Sequence, residues 1–344
     1  MRIYGVLCVL IVLAMVLTPI LALDRIPNAG ESTGTSSGAS TQKAEEATEN
    51  KEEKNQDESK DKDTIRVLSV SSGKVEVIDE REYVCGAVAA EMPATYHPEA
   101  LKAQAAACYT YALRMKYEQE QAPDAKLKGA YITDESTTHQ GYLNIAQRKA
   151  KWGDKFEAYS EKIEKAVDEV IGKVITFDGQ PIIAAFHAIS TGKTEDAKTV
   201  WGEDIPYLKP VLSAGDRLSP DYTATVIFSQ DQFKKKAASL KGAQFDDDAS
   251  GWVGKSKASD AGTVISIEIG GKAFTGAQVR TALNLRSPAF KIDYKDKSFT
   301  VHVTGYGHSV GMSQYGADFM ARQGSTWEEI IEHYYTGVSI SLNA

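Results

Sequence analysis

The chain has 344 residues, with 39 Lys and Arg against 47 Asp and Glu and a net charge of −8. No basic stripe accumulates along it, which argues against a nucleic-acid partner. Its three cysteines are too few for a disulfide scaffold, and neither an HExxH pattern nor a paired-cysteine spacing signals zinc.

Residues 1–3 read as a cytoplasmic start and residues 4–23 as a transmembrane anchor. Arg2 precedes a 20-residue uncharged run from Tyr4 to Leu23, long enough to cross a hydrocarbon layer of ~30 Å as a helix, and Asp24 follows it. A cleaved signal peptide is the competing reading, but the cleavage pattern near Ile20-Leu21-Ala22 is poor. Residues 24–63 read as a disordered acidic linker. From position 28 onward it is nearly devoid of large apolar side chains and holds ten acids against five lysines, so it cannot offset the entropy of ordering. Residues 64–344 then form an extracytoplasmic body large enough for one sizeable domain or two lobes around a groove.

Within the body, Asp79 with Glu82 reads as a capping box that opens a helix from about Glu80 to Met92, where Pro93 disfavours helical geometry. Glu91 falls in its last turn. It lies seven residues after Val84, four after Ala87 and three after Val88, on the inward-facing apolar stripe. Scarce water and the negative end of the helix dipole both disfavour the carboxylate there, which is the requirement for a general acid at neutral pH. A surface glutamate at a frayed helix end, or one held in a salt bridge, is the plainer alternative.

A long alanine-rich helix is expected from Pro98 to about Gln119, with Leu101, Ala105, Cys108, Ala112 and Met115 on one face, and another from about Glu157 to Ile171. Lys173 to Phe177 and Ile182 to Ala188 read as a hairpin turned at Asp178-Gly179. Strands are expected at Thr223–Phe228, Thr263–Ile269, Phe290–Tyr294 and Ser298–Val303, with helices near Ala277–Leu283 and Ser313–Arg322. A last helix opens at Ser325 with Glu328 as its capping partner. Helices gather early and strands late, which defines an α+β fold. Cys85 and Cys108 are either a disulfide or two buried thiols.

Two motifs imitate chemistry. Gly307-His308-Ser309-Val310-Gly311 matches the serine-hydrolase elbow, but too little chain follows to return an acid and a histidine to the serine. Gly192-Lys193-Thr194 resembles the end of a phosphate loop, yet His187 stands where its first glycine is needed. What remains is a glycine-spaced polar segment, Gly305 to Gly316, whose Tyr, His, Ser and Gln side chains offer a ring face and several donors. Two further polar clusters lie at Ser190 to Asp196, leading to Trp201, and at Thr138 to Tyr142.

These segments resemble the stage II sporulation protein D family of membrane-anchored lytic transglycosylases in endospore-forming bacteria, a family that includes amidase enhancers. The similarity covers nearly all of the body and is sharpest at Tyr83–Pro93, Pro98–Leu113, Ser190–Trp201 and Gly305–Gly316. The resemblance implies that Glu91 is catalytic as acid and then base, cleaving peptidoglycan to 1,6-anhydromuramyl ends during sporulation engulfment. His308, Ser313, Gln314 and Tyr315 are the expected sugar-binding residues, with Lys193, Thr194 and Gln140 beside them. It further implies glycan strands stripped of peptide by a cell-wall amidase, and septal membrane partners. A non-catalytic stimulator of such an amidase is the alternative. Some relatives bind zinc near the His187 region, but Ser190 to Lys198 holds no cysteine, so no metal and no other cofactor is expected. Cys108 stands where many relatives have arginine.

Overall fold

A computed structural model describes residues 63–135 and 137–343. The expected anchor and nearly all of the expected linker lie outside the described residues. The fold is α+β, with several small sheets around an alanine-rich helical core.

Two strands missing from the sequence reading open the body. β1 (Thr64–Leu68) pairs antiparallel with β2 (Val75–Asp79) and parallel with β3 (Ile132–Thr133). Helix α1 (Glu80–Glu91) begins where expected, with the Asp79 side chain accepting from the Glu82 backbone N–H at 3.1 Å. Only half of the capping box forms, because the Glu82 carboxylate instead pairs with Arg148. That arginine belongs to α3 (Ile145–Trp152), also absent from the sequence reading, which follows α2 (Pro98–Gln121). α4 (Phe156–Val170) completes the helical layer.

Small side chains let these helices approach closely. Ala87, Ala105, Cys108, Ala112 and Ala166 are buried together with Val84, Val88, Leu101, Ile163 and Val170 in one cluster, largely the stripes read from spacing. Both thiols are free and buried, and burial pushes Cys85 up to about 12, so neither is reactive. At Gly86 an added Cβ would stand 2.3 Å from the Tyr142 ring and 2.6 Å from the Leu143 carbonyl oxygen. Gly86→Ala is therefore expected to lower stability by about 1–3 kcal/mol, measured by urea unfolding. A change within experimental error would show that the Tyr142 strap is free to shift.

The expected hairpin is corrected. β4 (Lys173–Phe177) turns at Asp178-Gly179 as read, but its antiparallel partner β5 is only Gln180–Pro181, and β4 pairs on its other side with the C-terminal strand. Pro181 has no N–H to donate, so the ladder fades after Ile182 and the chain leaves it. It re-forms as β6 (Phe186–His187), parallel to a short strand at Met312–Ser313. This departure delivers the Ser190 cluster to the Gly305–Gly316 segment. A short helix, α5 (Ala197–Trp201), follows.

A second lobe has its own core of Phe228, Phe233, Trp252, Val279, Leu283 and Phe299. It is made of β7 (Thr223–Ser229), α6 (Gln230–Ala237), β8 (Val253–Ala258), β9 (Val264–Ile269), β10 (Lys272–Phe274), α7 (Gly276–Leu283), β11 (Phe290–Lys295) and β12 (Ser298–Thr304). Two antiparallel sheets, ordered β11-β12-β7 and β10-β9-β8, hold it together. The chain then returns through β13 (Met312–Ser313), α8 (Gln314–Arg322), α9 (Trp327–Tyr334) and β14 (Ser339–Leu342). The cap of α9 sits one residue later than expected: Thr326 and Glu329 form the box, and this turns Trp327, Ile330, Ile331 and Tyr334 inward. Among the described residues no helix is long and apolar enough to cross a membrane.

Candidate functional site

Glu91 ends α1, and Met92 leaves the helix in extended geometry ahead of Pro93. Its carboxyl is half-buried. Oε1 accepts the backbone N–H of Gly141 at 2.5 Å. Its own backbone carbonyl accepts from Gln314 Nε2 at 3.1 Å, and that amide also donates to Gln104 Oε1 at 3.3 Å. The start of α8 is thereby tied to the end of α1 across 223 residues of sequence. Lys151 of α3 donates its ammonium to the Ala89 carbonyl at 2.8 Å, placing a cation at the C-terminus of α1.

Burial raises the pKa of Glu91, opposed by the Gly141 N–H and by the field of Lys151. Because Oε1 is an acceptor, a proton on this carboxyl belongs to Oε2. A raised folded-state pKa also means that ionising Glu91 costs stability. The group's stabilising contribution is full below its ordinary value of 4.5 and is lost as pH rises through the raised one. Glu91→Gln should therefore melt above wild type at pH 8 and match it near pH 4. Equal melting temperatures at both pH values would mean that the carboxylate is not penalised.

The other expected site residues divide between partly exposed and enclosed positions. Tyr315 is half-buried, donates from its hydroxyl to the Leu218 carbonyl at 3.2 Å, and meets the edge of the Tyr96 ring at 6.3 Å. Ser313 is fully buried. It caps α8 by accepting from Gly316 N–H and donates to Asp216 Oδ1 at 2.7 Å. Thr194 is buried as well, bonded to the backbone of Val211. Lys193 is half-buried beside Glu195, in whose field its ammonium lies. The side chain of Gln140 is enclosed, with Nε2 donating to the Tyr83 hydroxyl at 2.8 Å and to the Cys108 carbonyl at 3.1 Å. It is the backbone of the next residue, Gly141, that reaches Glu91.

His308 is half-buried, with its ring 5.4 Å from Trp201 and 5.7 Å from His187. Its Nδ1 accepts from Val310 N–H at 3.1 Å and the ring also bonds the backbone of Phe186. Burial, assisted by Arg280, lowers its pKa to about 4, so at neutral pH it offers an uncharged ring face. His187 is lowered by burial to about 3 and donates from Nδ1 to the Val310 carbonyl. Among the described residues no three His, Cys, Asp or Glu side chains converge as a metal set.

The glycines of the Gly305–Gly316 segment serve a purpose that the sequence reading did not assign. Gly311 has φ 71°, and a Cβ there would fall 2.1 Å from the Ala185 carbonyl oxygen. The segment packs on the protein's own backbone through this close approach. Ser309 is buried in left-handed geometry, and nine residues separate β12 from α8, so no strand-to-helix elbow is formed.

Sequence reasoning missed Lys151, Gln104 and Asp216, and placed Gly141 in a polar cluster without a role. Each acts through the backbone or through a contact between distant elements, and no local spacing marks it.

Glu91 is thus a half-buried carboxyl at a helix end, held through one oxygen by a backbone amide and raised in pKa by burial. A family model described as Stage II sporulation protein matches residues 69–177. Stage II sporulation protein D of Bacillus subtilis (strain 168) is 41% identical over 281 residues, covering 81% of this chain and 79% of that protein. Its counterpart in Bacillus amyloliquefaciens is 38% identical over 279 residues, covering 81% and 78%. The amidase enhancer of Bacillus subtilis (strain 168) is 26% identical over 310 residues, covering 74% of this chain and 40% of that protein. The chain belongs to the stage II sporulation protein D family.

Proposed function

We propose that this protein is a peptidoglycan lytic transglycosylase that cuts MurNAc–GlcNAc bonds in peptide-stripped glycan. The observation that carries the reading is the Glu91 carboxyl, half-buried at the junction of α1 with the Gly305–Gly316 segment and held through one oxygen by Gly141. Oε2–H protonates the glycosidic oxygen as the bond from the anomeric carbon breaks. The resulting carboxylate takes the proton of the same sugar's 6-hydroxyl while that oxygen closes on the anomeric carbon. One C–O bond breaks, one forms, no water is consumed, and Glu91 ends protonated as it began. A second carboxyl to activate water, which hydrolysing glycosidases need, has no part in this scheme.

Tyr315, the ring face of His308 and Lys193 line the sugar path. Ser313, Gln314, Thr194 and Gln140 hold the walls that position it. The reading includes anchoring by residues 4–23 to the cytoplasmic membrane, an extracytoplasmic body, and work beside a cell-wall amidase and septal membrane proteins during engulfment. The similarity to an amidase enhancer favours a second reading, a glycan-binding stimulator of a separate amidase without chemistry of its own. Mass spectrometry of denuded glycan after incubation decides between them. Anhydro ends that vanish in Glu91→Gln support the enzyme, reducing ends indicate hydrolysis, and unchanged glycan supports the stimulator.

A further inference from the structure

Helix α2 lays a row of side chains beside Glu91. Gln104, Cys108 and Tyr111 follow one another at spacings of four and three residues, so they share one face. Gln104 Oε1 accepts from the Gln314 amide that also holds the Glu91 carbonyl, and Gln104 Nε2 reaches Cys108 Sγ at 3.3 Å. The Cys108 carbonyl in turn accepts from Gln140 Nε2 at 3.1 Å. Tyr111 comes next, and the Gln140 backbone N–H donates to its hydroxyl oxygen. Adjacent amides therefore hold two different oxygens. Gln140 N–H takes the Tyr111 phenol, and Gly141 N–H takes Glu91 Oε1.

Tyr83, Cys108, Tyr111 and Lys151 lie in the field of the Glu91 carboxyl. Tyr83 and Cys108 are fully enclosed, and the Lys151 ammonium is taken up by the Ala89 carbonyl. Tyr111 differs from all three. It is half-buried, Gln140 steadies its oxygen, and among the described residues no acceptor takes its O–H. Burial raises the pKa of the phenol, so it remains a donor at any working pH. No hydrogen bond joins it to Glu91 directly. A hydroxyl that enters between them can accept from the phenol and give its own proton to Glu91 Oε2.

We propose that Tyr111 is a further catalytic residue, which holds the 6-hydroxyl of the sugar being cut so that this oxygen, rather than water, attacks the anomeric carbon. This rests on the glycan-cleaving reading above and names the group that chooses between two products. Once Glu91 has given up its proton and the glycosidic bond has broken, the anomeric carbon can take either nucleophile. If the 6-oxygen forms the new C–O bond, its proton passes to Glu91 and an anhydro end results. If water forms that bond, one water proton passes to Glu91 and a reducing end results. Both routes leave Glu91 protonated, and they differ only in which hydroxyl stands beside it. A phenol that donates to the 6-oxygen fixes its place without removing the proton that Glu91 must take.

The test digests denuded glycan in heavy-oxygen water and counts anhydro ends and labelled reducing ends by mass spectrometry. Wild type should give almost only anhydro ends. Tyr111→Phe keeps the ring and its packing but lacks the donor, and should lower the ratio of anhydro to reducing ends by about tenfold, the worth of one hydrogen bond. A merely structural role would slow both products alike, so an unchanged ratio in the folded variant overturns the inference. Thermal melts establish folding, and Tyr111→Leu, which also lacks the hydroxyl, decides the matter if the phenylalanine variant is unfolded. Reducing ends alone from wild type overturn both this inference and the transglycosylase reading. If wild type makes neither kind of end, the catalytic reading fails by itself. Tyr111 is then judged by the binding of fluorescently labelled oligosaccharides with and without the 6-hydroxyl on muramic acid. Wild type should favour the hydroxyl form by about tenfold and Tyr111→Phe should not. Equal preference in the two proteins, or no binding, overturns the inference.

Discussion

Glu91→Gln is expected to lower the rate of anhydro-end formation by about a thousandfold or more while leaving the fold intact. Positioned acid–base catalysis contributes roughly 10²–10⁴-fold, and in the proposed scheme one carboxyl serves both proton transfers. Glutamine preserves the geometry, because its amide oxygen still accepts from Gly141 N–H, and α1 keeps its Gln314 and Lys151 contacts. It cannot release a proton. The wild-type rate should fall as pH rises through the raised pKa of Glu91, since the proposed reaction starts from the protonated carboxyl. Any residual rate in the variant should lack that limb. Single-turnover product analysis from pH 4 to pH 9 measures both. A variant within tenfold of wild type would assign the chemistry elsewhere.

Asp216→Ala is expected to destabilise the protein by about 3–5 kcal/mol and to slow turnover beyond the loss of folded molecules. Asp216 is fully buried and accepts from the Ser190 backbone at 2.8 Å, from the Ser190 hydroxyl and from the Ser313 hydroxyl at 2.7 Å. Alanine leaves those donors buried without an acceptor. Ser313 also caps α8, and the next residue, Gln314, holds the Glu91 carbonyl, so the loosening reaches Glu91. Burial raises the pKa of Asp216, so its contribution to stability is full below its ordinary value of 3.8 and declines as pH rises through the raised one. Asp216→Asn, which keeps one acceptor oxygen, should fall between the two. Denaturant midpoints give the energies. A loss below about 1 kcal/mol for the alanine variant would mean that Ser190 and Ser313 find other partners.

The helices around Glu91 were legible because their signals are local. Asp79 and Pro93 bracket α1, Pro98 opens α2, and the spacing of Leu101, Ala105, Cys108 and Ala112 marks the face that packs. Four of the six strands of the second lobe, β7, β9, β11 and β12, were legible, whereas β8 and β10 were not. Short elements were also missed. β6 and β13 are two residues each and exist because they pair with one another across more than a hundred residues of chain. α3 is mostly exposed and buries only Arg148 among its residues, so it carries no apolar stripe to read.

Sequence alone determined the mixed architecture and the position of Glu91 at a helix end, since capping and periodicity act within a turn or two. Tertiary structure decided which polar groups face outward and which are enclosed. Polar side chains such as Gln140 and Ser313, which are enclosed, and Tyr315, which is half-buried, part company through what the distant chain lays against them. It also decided that the charge of Arg280, from a separate core, acts on the His308 ring, because which groups meet depends on what folding brings within a few ångströms.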